Sequence, residues 1–155
     1  MTNESGDLST GATWIIVADA SRAEIYSRKK PFSKLELVQT LDEPDARKKE
    51  GELVEGAPGR AFDSGGRGRH AMEPAHREKQ NILGTFAQRV GDAIEAARSA
   101  DEFSQLVLIA SPALLGELRK RLSPSARRSV TLEIDKNVTG KPASDIADLI
   151  DSQRE

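Results

Sequence analysis

Two short, continuous apolar runs dominate the hydrophobic pattern of the chain. Residues 14–18 read Trp-Ile-Ile-Val-Ala, and residues 106–110 read Leu-Val-Leu-Ile-Ala. Neither run alternates with polar residues, as a strand with one solvated face would. Runs of this length, rich in branched side chains, are typical of strands buried on both faces of a sheet. We therefore expect both runs to lie inside one sheet.

Shorter apolar patterns predict three more strands, at residues 23–27, 35–39 and 130–134. The Asp and Ser side chains of residues 19–22 can bond nearby backbone groups, which favours a turn directly after the first apolar run. Pro31 then separates the second strand from the third. The opening part of the chain therefore predicts a three-stranded antiparallel meander.

Between residues 77 and 100, apolar side chains recur at three- and four-residue steps, which predicts one long amphipathic helix. Gly84 and Gly91 weaken this helix by up to ~1 kcal/mol each relative to Ala, so tertiary packing must compensate. The stripe that should pack on the sheet contains, among others, Phe86, Val90 and Ile94.

Local start signals predict the remaining helices. Ser111-Pro112 and Ser123-Pro124 each combine a side chain that can cap a helix with Pro at the first helical position. Residues 143–153 carry a further apolar stripe, which predicts a closing helix.

The order of these elements predicts the fold class. Three strands are followed by a long loop, and then by helix, strand, helix, strand and helix. Alternation in the second half indicates parallel pairing with helical crossovers. We therefore expect a single α/β domain over residues 13–155, with a mixed five-stranded sheet and packed helices. Residues 1–12 read as a flexible lead, and residues 42–76 as the long loop.

Composition narrows the functional classes. The 155 residues suit one domain, and a net charge of −2 argues against a uniformly basic nucleic-acid coat, although 23 Lys and Arg allow a local basic patch. The polar, acidic N-terminus does not resemble a signal peptide, and the apolar runs fall far short of the ~20 residues of a membrane helix. We expect a cytoplasmic protein with no membrane partner.

The long loop carries the most informative chemistry in its Gly/Arg segment, residues 56–74. Glycines let backbone N–H groups approach a ligand closely, and guanidinium groups can hold a phosphate with two N–H donors. A solvated tether, whose charges only keep it soluble, is an equally open alternative. The candidate nucleic-acid-binding residues are Arg60, Gly65, Gly66, Arg67, Arg69 and His70.

Metal ligation has weaker support. Cysteine is absent, and the six-residue spacing of His70 and His76 matches no helical pair of ligands, so we expect no metal or other cofactor. Asp19 follows a buried strand, where some nucleases place a metal-binding carboxylate, but we favour a turn-forming role. A metal site there would need converging acids, for which the candidates are Asp63, Glu73 and Asp135.

Two basic runs occur late in the chain, at residues 119–121 and 127–128. Such runs are usually the solvated face of a helix. If they lie on the same side as the long loop, they would extend a surface that follows phosphates. The low aromatic content argues against base stacking as the binding mode.

Five ordered segments resemble a bacterial family described as required for attachment to host cells. They are residues 14–23, 58–64, 69–74, 106–118 and 132–139, and the resemblance covers about residues 13–145. That family is in turn similar to the central domain of archaeal and eukaryotic class-1 translation release factors. There, a glycine-rich loop carrying Gly-Gly-Gln enters the peptidyl-transferase centre, and the matching tripeptide here is Gly65-Gly66-Arg67.

The resemblance implies contact with RNA or the ribosome through the loop, and the missing Gln makes hydrolysis of peptidyl-tRNA doubtful. We therefore expect a non-catalytic binding protein of undetermined oligomeric state. The alternative is a divergent hydrolase of ester or phosphodiester bonds that uses the loop or Asp19. Direct adhesion to a host surface conflicts with the expected absence of an export signal.

Overall fold

A mixed five-stranded sheet with helices on both faces forms the core of the protein. The computed structural model describes residues 11–46 and 74–154, except for the side chain of His76. The elements are strands β1 (Thr13–Ala18), β2 (Arg22–Arg28) and β3 (Glu36–Asp42), helix α1 (Pro74–Ser99), strand β4 (Gln105–Ala110), helices α2 (Pro112–Arg121) and α3 (Pro124–Ser129), strand β5 (Val130–Asp135) and helix α4 (Ala143–Arg154).

The strand order is β3-β2-β1-β4-β5. β1 pairs antiparallel with β2, which pairs antiparallel with β3, so the predicted meander is confirmed. On the other side, β1 pairs parallel with β4, and β4 pairs parallel with β5. The predicted mixed sheet is therefore confirmed, with the two continuous apolar runs as neighbouring inner strands, β1 and β4.

Side chains of the inner strands alternate between two hydrophobic cores. Trp14, Ile16 and Ala18 of β1 face α1, α2 and α3, together with Leu106 and Leu108 of β4. The intervening residues of both strands face the other side of the sheet, where α4 contributes its buried side chains. The principal residues of this second core are Ile15, Val17, Val107, Ile109, Ile146 and Ile150. A strand buried on both faces needs apolar side chains at every position, which explains the unbroken runs in the sequence.

Helix α1 packs its apolar stripe on the first face of the sheet. Phe86, Val90 and Ile94 are fully buried there, as the stripe predicts. The helix begins at Pro74, three residues before its predicted start, where Pro fits the first helical turn. It ends at Ser99, and Asp101 follows with a left-handed φ of 58°, while the N–H of Glu102 donates to the carbonyl oxygen of Ala97.

Both Ser-Pro start signals are confirmed. The Ser111 hydroxyl accepts from the N–H of Leu114, and the Ser123 hydroxyl accepts from the N–H of Ala126. Ser123 also donates to the Glu95 carboxylate on α1, so this cap joins α3 to the long helix. That bond is the main cause that lowers the pKa of Glu95.

The ends of the sheet are held by further contacts. The buried Arg28 guanidinium of β2 donates to both carboxylate oxygens of Asp151 at 2.8 and 3.1 Å, which anchors α4 to the second face.

Ala12, in the predicted flexible lead, is buried, and its carbonyl oxygen accepts from the N–H groups of Ser104 and Gln105. Residues 1–10 lie outside the described residues. In the part of the chain that is described, no helix combines the length and apolar character that a membrane crossing requires.

We predict that Phe86→Ala lowers the free energy of unfolding by about 3–5 kcal/mol, because the ring is fully buried between α1 and the sheet. Urea denaturation of the full chain measures this change. Phe32→Ala is the matched control, since that ring is 66% exposed and its removal should change stability by less than about 0.5 kcal/mol. Equal effects of the two substitutions would contradict the packing of α1.

Candidate functional site

The predicted binding residues of the Gly/Arg segment lie outside the described residues, so their role stays a prediction. They are Arg60, Gly65, Gly66, Arg67, Arg69 and His70. The structure does describe the two elements that the long loop connects, β3 and α1.

Arg89 joins the end of β3 to α1. Its Nη1 donates to the carbonyl oxygen of Asp42 at 2.8 Å and lies 3.4 Å from Oε1 of Glu43. Residues 74–88 of α1 precede this contact, which corresponds to roughly 22 Å of helix at 1.5 Å per residue. Within that part, the side chains of residues 77–81 are all exposed. The helix that follows the Gly/Arg segment therefore begins clear of the core.

A groove of about 600 Å³ lies between the first half of α1 and the end of α2. Its two walls differ in chemistry. The α1 wall carries four uncharged polar side chains, Gln80, Asn81, Thr85 and Gln88, and one cation, Arg89. The α2 wall carries charged side chains, Glu117, Lys120 and Arg121. We call this the α1–α2 groove.

Gly84 lets the Arg121 guanidinium approach the backbone of α1. A Cβ at Gly84 would lie 2.8 Å from Nη2 of Arg121 and 3.6 Å from Oε1 of Glu117. Nη1 of Arg121 also lies 3.5 Å from Oε1 of Gln88, so the guanidinium contacts both walls of the groove. A side chain at position 84 would therefore displace the Arg121 guanidinium from its present place against α1.

Two cations share one carboxylate in the groove. Glu117 accepts from Nη2 of Arg121 at 2.9 Å and from Nζ of Lys120 at 3.2 Å. The bonds from Arg121, and after them the bond from Lys120, lower the pKa of Glu117 below its ordinary value of 4.5. Glu117 is therefore ionised at neutral pH, and the α2 wall retains an excess of one positive charge.

The basic surface extends from α2 onto α3. Residues 112–134 contain five cations, in the two predicted basic runs, against two carboxylates, Glu117 and Glu133. Arg119 is paired with Glu133, which raises the pKa of the guanidinium by hydrogen bonding and by charge attraction. Arg127 instead donates to the carbonyl oxygen of Arg119 at 3.4 Å. Within the described residues, neither Arg127 nor Arg128 has a carboxylate partner. The two runs thus form one surface with a net charge of +3, five cations minus two carboxylates.

Asp19 is a turn-forming residue, as the sequence favours. Its Oδ1 accepts from the backbone N–H groups of Ser21 at 2.8 Å and Arg22 at 2.9 Å, and from the Ser21 hydroxyl at 3.1 Å. Its Oδ2 accepts from the Thr139 hydroxyl, in the loop after β5, at 2.8 Å. The carboxylate therefore closes the β1–β2 turn and ties it to the β5–α4 connection.

The electrostatics of Asp19 follow from these bonds. Burial by itself raises the pKa of Asp19, but hydrogen bonds from Ser21, Thr139 and Arg22 together outweigh burial and hold the pKa below its ordinary value of 3.8. A carboxylate with so many donors is stabilised in its charged form. Because its oxygens are engaged by the protein, Asp19 is poorly placed to act as a base or a metal ligand.

The other acids that the sequence offers as metal ligands are Asp63, Glu73 and Asp135. Across residues 11–46 and 74–154, no cluster of three or more His, Asp or Glu side chains could hold a metal ion. Asp135 is described, at the end of β5, whereas Asp63, Glu73 and His70 lie outside the described residues.

Sequence reasoning missed the polar wall of the α1–α2 groove. The signal was present, because Asn81, Thr85 and Gln88 follow one another at four- and three-residue steps and share one face of the helix. The apolar stripe lies on the opposite face of α1, and Gly84 by itself indicates only a local loss of helix propensity. Which neighbour faces this row depends on the packing of α2, which no local pattern specifies.

We predict that Asp19→Ala lowers the free energy of unfolding by about 1–3 kcal/mol at neutral pH, because the turn loses charge-assisted hydrogen bonds. Asp19→Asn should cost less, since its amide oxygen can still accept from Ser21 and Arg22.

The pH dependence follows from the lowered pKa of Asp19. When the pKa of a carboxylate is lower in the native than in the unfolded protein, ionisation of the group stabilises the fold. The full contribution is present at pH values above the pKa of the unfolded state, and it is lost as the pH falls through the pKa of the native state. The stability difference between wild type and Asp19→Asn, measured by urea denaturation at several pH values, should therefore shrink in that acidic range. A difference that stays constant would contradict the role of the charge.

Comparison with known proteins places the fold. No curated protein matches the sequence. A crystal structure of an archaeal translation termination factor, aRF1, is similar with a TM-score of 0.54 at 12% identity, over 99% of this chain and 40% of that one. A second structure, described as an archaeal protein, has a TM-score of 0.48 at 10% identity, over 99% of this chain and 43% of its own. The chain thus spans about two fifths of the length of these structures, and the likeness to the termination factor concerns the fold.

The family is shown by the sequence itself. Residues 14–150 match the family described as "Protein required for attachment to host cells". The match runs from β1 through most of α4, and therefore includes all five strands and the α1–α2 groove. The chain belongs to this family of proteins required for attachment to host cells.

Proposed function

We propose that this member of the host-attachment family is a cytoplasmic, non-catalytic protein that binds RNA or the ribosome through its Gly/Arg segment. The α2–α3 basic surface extends the binding area. Two features support the proposal, namely the local excess of positive charge and the chemistry of the Gly65-Gly66-Arg67 tripeptide.

The observation that carries the proposal is the net charge of +3 over residues 112–134, in a chain whose total charge is −2. Arg121 and Lys120 lie beside α1, the helix that directly follows the Gly/Arg segment. A concentrated basic surface on a slightly acidic protein favours a polyanionic partner, because counterions released from phosphates drive association.

The nature of the tripeptide favours binding over catalysis. A Gln amide both donates and accepts hydrogen bonds and can orient a water molecule, whereas an Arg guanidinium only donates. Arg67 is therefore suited to a phosphate oxygen and unsuited to holding an attacking water. The fold shared with a translation termination factor adds the ribosome as a candidate partner, by analogy of fold.

We predict that the triple substitution of Arg60, Arg67 and Arg69 by Ala strongly weakens co-sedimentation with ribosomes and binding to RNA. Each lost phosphate contact should also reduce the slope of log K against log salt concentration by roughly 0.7–0.9. Sedimentation through sucrose and fluorescence anisotropy, each at several salt concentrations, measure the two effects.

A matched control removes the same charge elsewhere. Lys29, Lys30 and Lys34 are exposed in the β2–β3 connection, at the opposite end of the sheet from the end of β3. Their triple substitution by Ala should leave binding nearly unchanged. Equal losses of binding in both triple variants would show that the interaction depends only on the total charge of the protein. A shifted thermal melt with unchanged binding would make the three arginines structural.

A second prediction separates binding from hydrolysis. The wild-type protein, incubated with peptidyl-tRNA on ribosomes, should release no peptide, because Arg67 stands where the release factors carry Gln. Release of a radiolabelled peptide measures the activity. Turnover that is lost in Gly66→Ala would replace the binding proposal with the divergent-hydrolase alternative.

A further inference from the structure

The edge strand β3 is uncovered on both faces of the sheet. Residues 36–40 are all exposed, and they include Leu37 at 57% and Val38 at 47% exposure. The other edge strand, β5, differs, because its Leu132 and Ile134 pack in the second hydrophobic core. Among the described strands, β3 has a neighbour on one side only, so its outer edge presents backbone N–H and C=O groups together with apolar side chains.

The middle of this edge is apolar and uncharged. Gln39 pairs with Ile25 and Leu37 pairs with Tyr26, so the register skips Val38, which has no partner residue on β2. A bulge can protect an edge against association, as can a charge or a proline. Residues 37–41 carry neither a charge nor a proline, and the bulge exposes an apolar side chain. An approaching strand therefore meets no charge at the centre of β3.

The two ends of β3 carry opposite charges. Residues 29–36 have a net charge of +2, three exposed lysines minus Glu36, and within the described residues none of the three lysines makes an ion pair. Residues 42–45 contain three carboxylates. The first of them, Asp42, has a side chain that is 55% exposed and lies 3.7 Å from Arg22, which is a loose pair.

This charge pattern selects the partner strand. A strand of uniform charge would be attracted at one end of β3 and repelled at the other. A strand with the same pattern that runs in the opposite direction is attracted at both ends. The β3 strand of a second copy has this pattern, and a two-fold axis makes one patch serve both copies.

An antiparallel pairing centred on Val38 satisfies the charges. Lys34 and Asp42 lie four residues to either side of the centre, so Lys34 of one copy faces Asp42 of the other, and the contact occurs twice. Glu36 then faces Thr40, and no like charges meet. A parallel pairing in register would instead place Lys34 opposite Lys34 and Asp42 opposite Asp42, which is unfavourable.

We propose that β3 is a homodimerisation edge, at which the β3 strands of two copies pair antiparallel about Val38 and join two five-stranded sheets into one continuous sheet. The inference goes beyond the proposed function and does not depend on it. An interface built from one strand of each copy is small, so the association is expected to be weak and to depend on concentration.

Cysteine cross-linking tests the contact directly, because the chain contains no cysteine of its own. Directly opposite residues of an antiparallel pair have Cβ atoms about 4.5–5.5 Å apart, close to the span of a disulfide. Val38→Cys in the full-length chain, oxidised by dissolved oxygen with copper phenanthroline, should therefore give a disulfide-linked dimer. Non-reducing gel electrophoresis measures the rate.

The other edge of the sheet provides the matched control. Thr131 on β5 is, like Val38, β-branched and exposed on an edge strand. Thr131→Cys should cross-link at a rate at least about tenfold lower, because no pairing holds two such thiols together.

A charge swap tests the direction of the strands. Lys34→Asp and Asp42→Lys should each raise the dissociation constant of the dimer about tenfold, because like charges then face each other twice in every dimer. The double variant exchanges the signs of both partners and should return the constant to within about threefold of wild type. Sedimentation equilibrium measures the constant. Both side chains are exposed, so the thermal melt should be retained.

Several results would overturn the inference. They are a wild type that stays monomeric up to millimolar concentration, equal cross-linking rates of the two cysteine variants, and a double charge variant that dimerises as weakly as the single ones. A monomeric wild type that co-sediments with ribosomes would remove the dimer and leave the proposed function standing. A dimer with the expected cross-link that binds neither ribosomes nor RNA would do the reverse.

Discussion

The parallel pairing of β1 with β4 is the interaction on which the rest of the structure depends. Both strands are buried on both faces, so they supply apolar side chains to the two hydrophobic cores at once. The hairpin of β2 and β3 extends the sheet from one side, and β5 extends it from the other. Parallel neighbours cannot be joined by a tight turn, so the chain must cross a face of the sheet between them. Helix α1 makes that crossing.

The burial of α1 also decides what the helix presents to solvent. Phe86, Val90 and Ile94 fix the rotation of the helix about its axis, since these side chains must face the sheet. Asn81 and Gln88 are consequently directed away from the core, toward the end of α2. The side chains of residues 77–81 are exposed, so the first turns of the helix stand clear of the core. A packing constraint on one face therefore creates a polar groove on another.

The distribution of charge reconciles a slightly acidic chain with a basic surface. Several carboxylates are engaged in structural contacts: Asp19 closes a turn, Glu95 holds the α3 cap, and Asp151 anchors α4 through Arg28. Hydrogen-bond donors and ion-pair partners within the fold compensate the negative charge of these carboxylates. The cations of α2 and α3 outnumber the acids around them, which leaves a local field of one sign. Net charge alone therefore does not describe the surface that a partner would meet.

The sequence by itself determined the elements whose signals are local. Doubly buried strands require unbroken apolar runs, and a capping Ser followed by Pro specifies a helix start within a few residues. The five strands, the long helix and both caps were predictable for this reason, as was the turn at Asp19. Only the tertiary structure decided the contact of Asp19 with Thr139, 120 residues later, and the approach of Arg121 to Gly84 across two helices. Such pairings depend on how whole elements are rotated and placed against each other, and no periodicity along the chain encodes which side chains then meet.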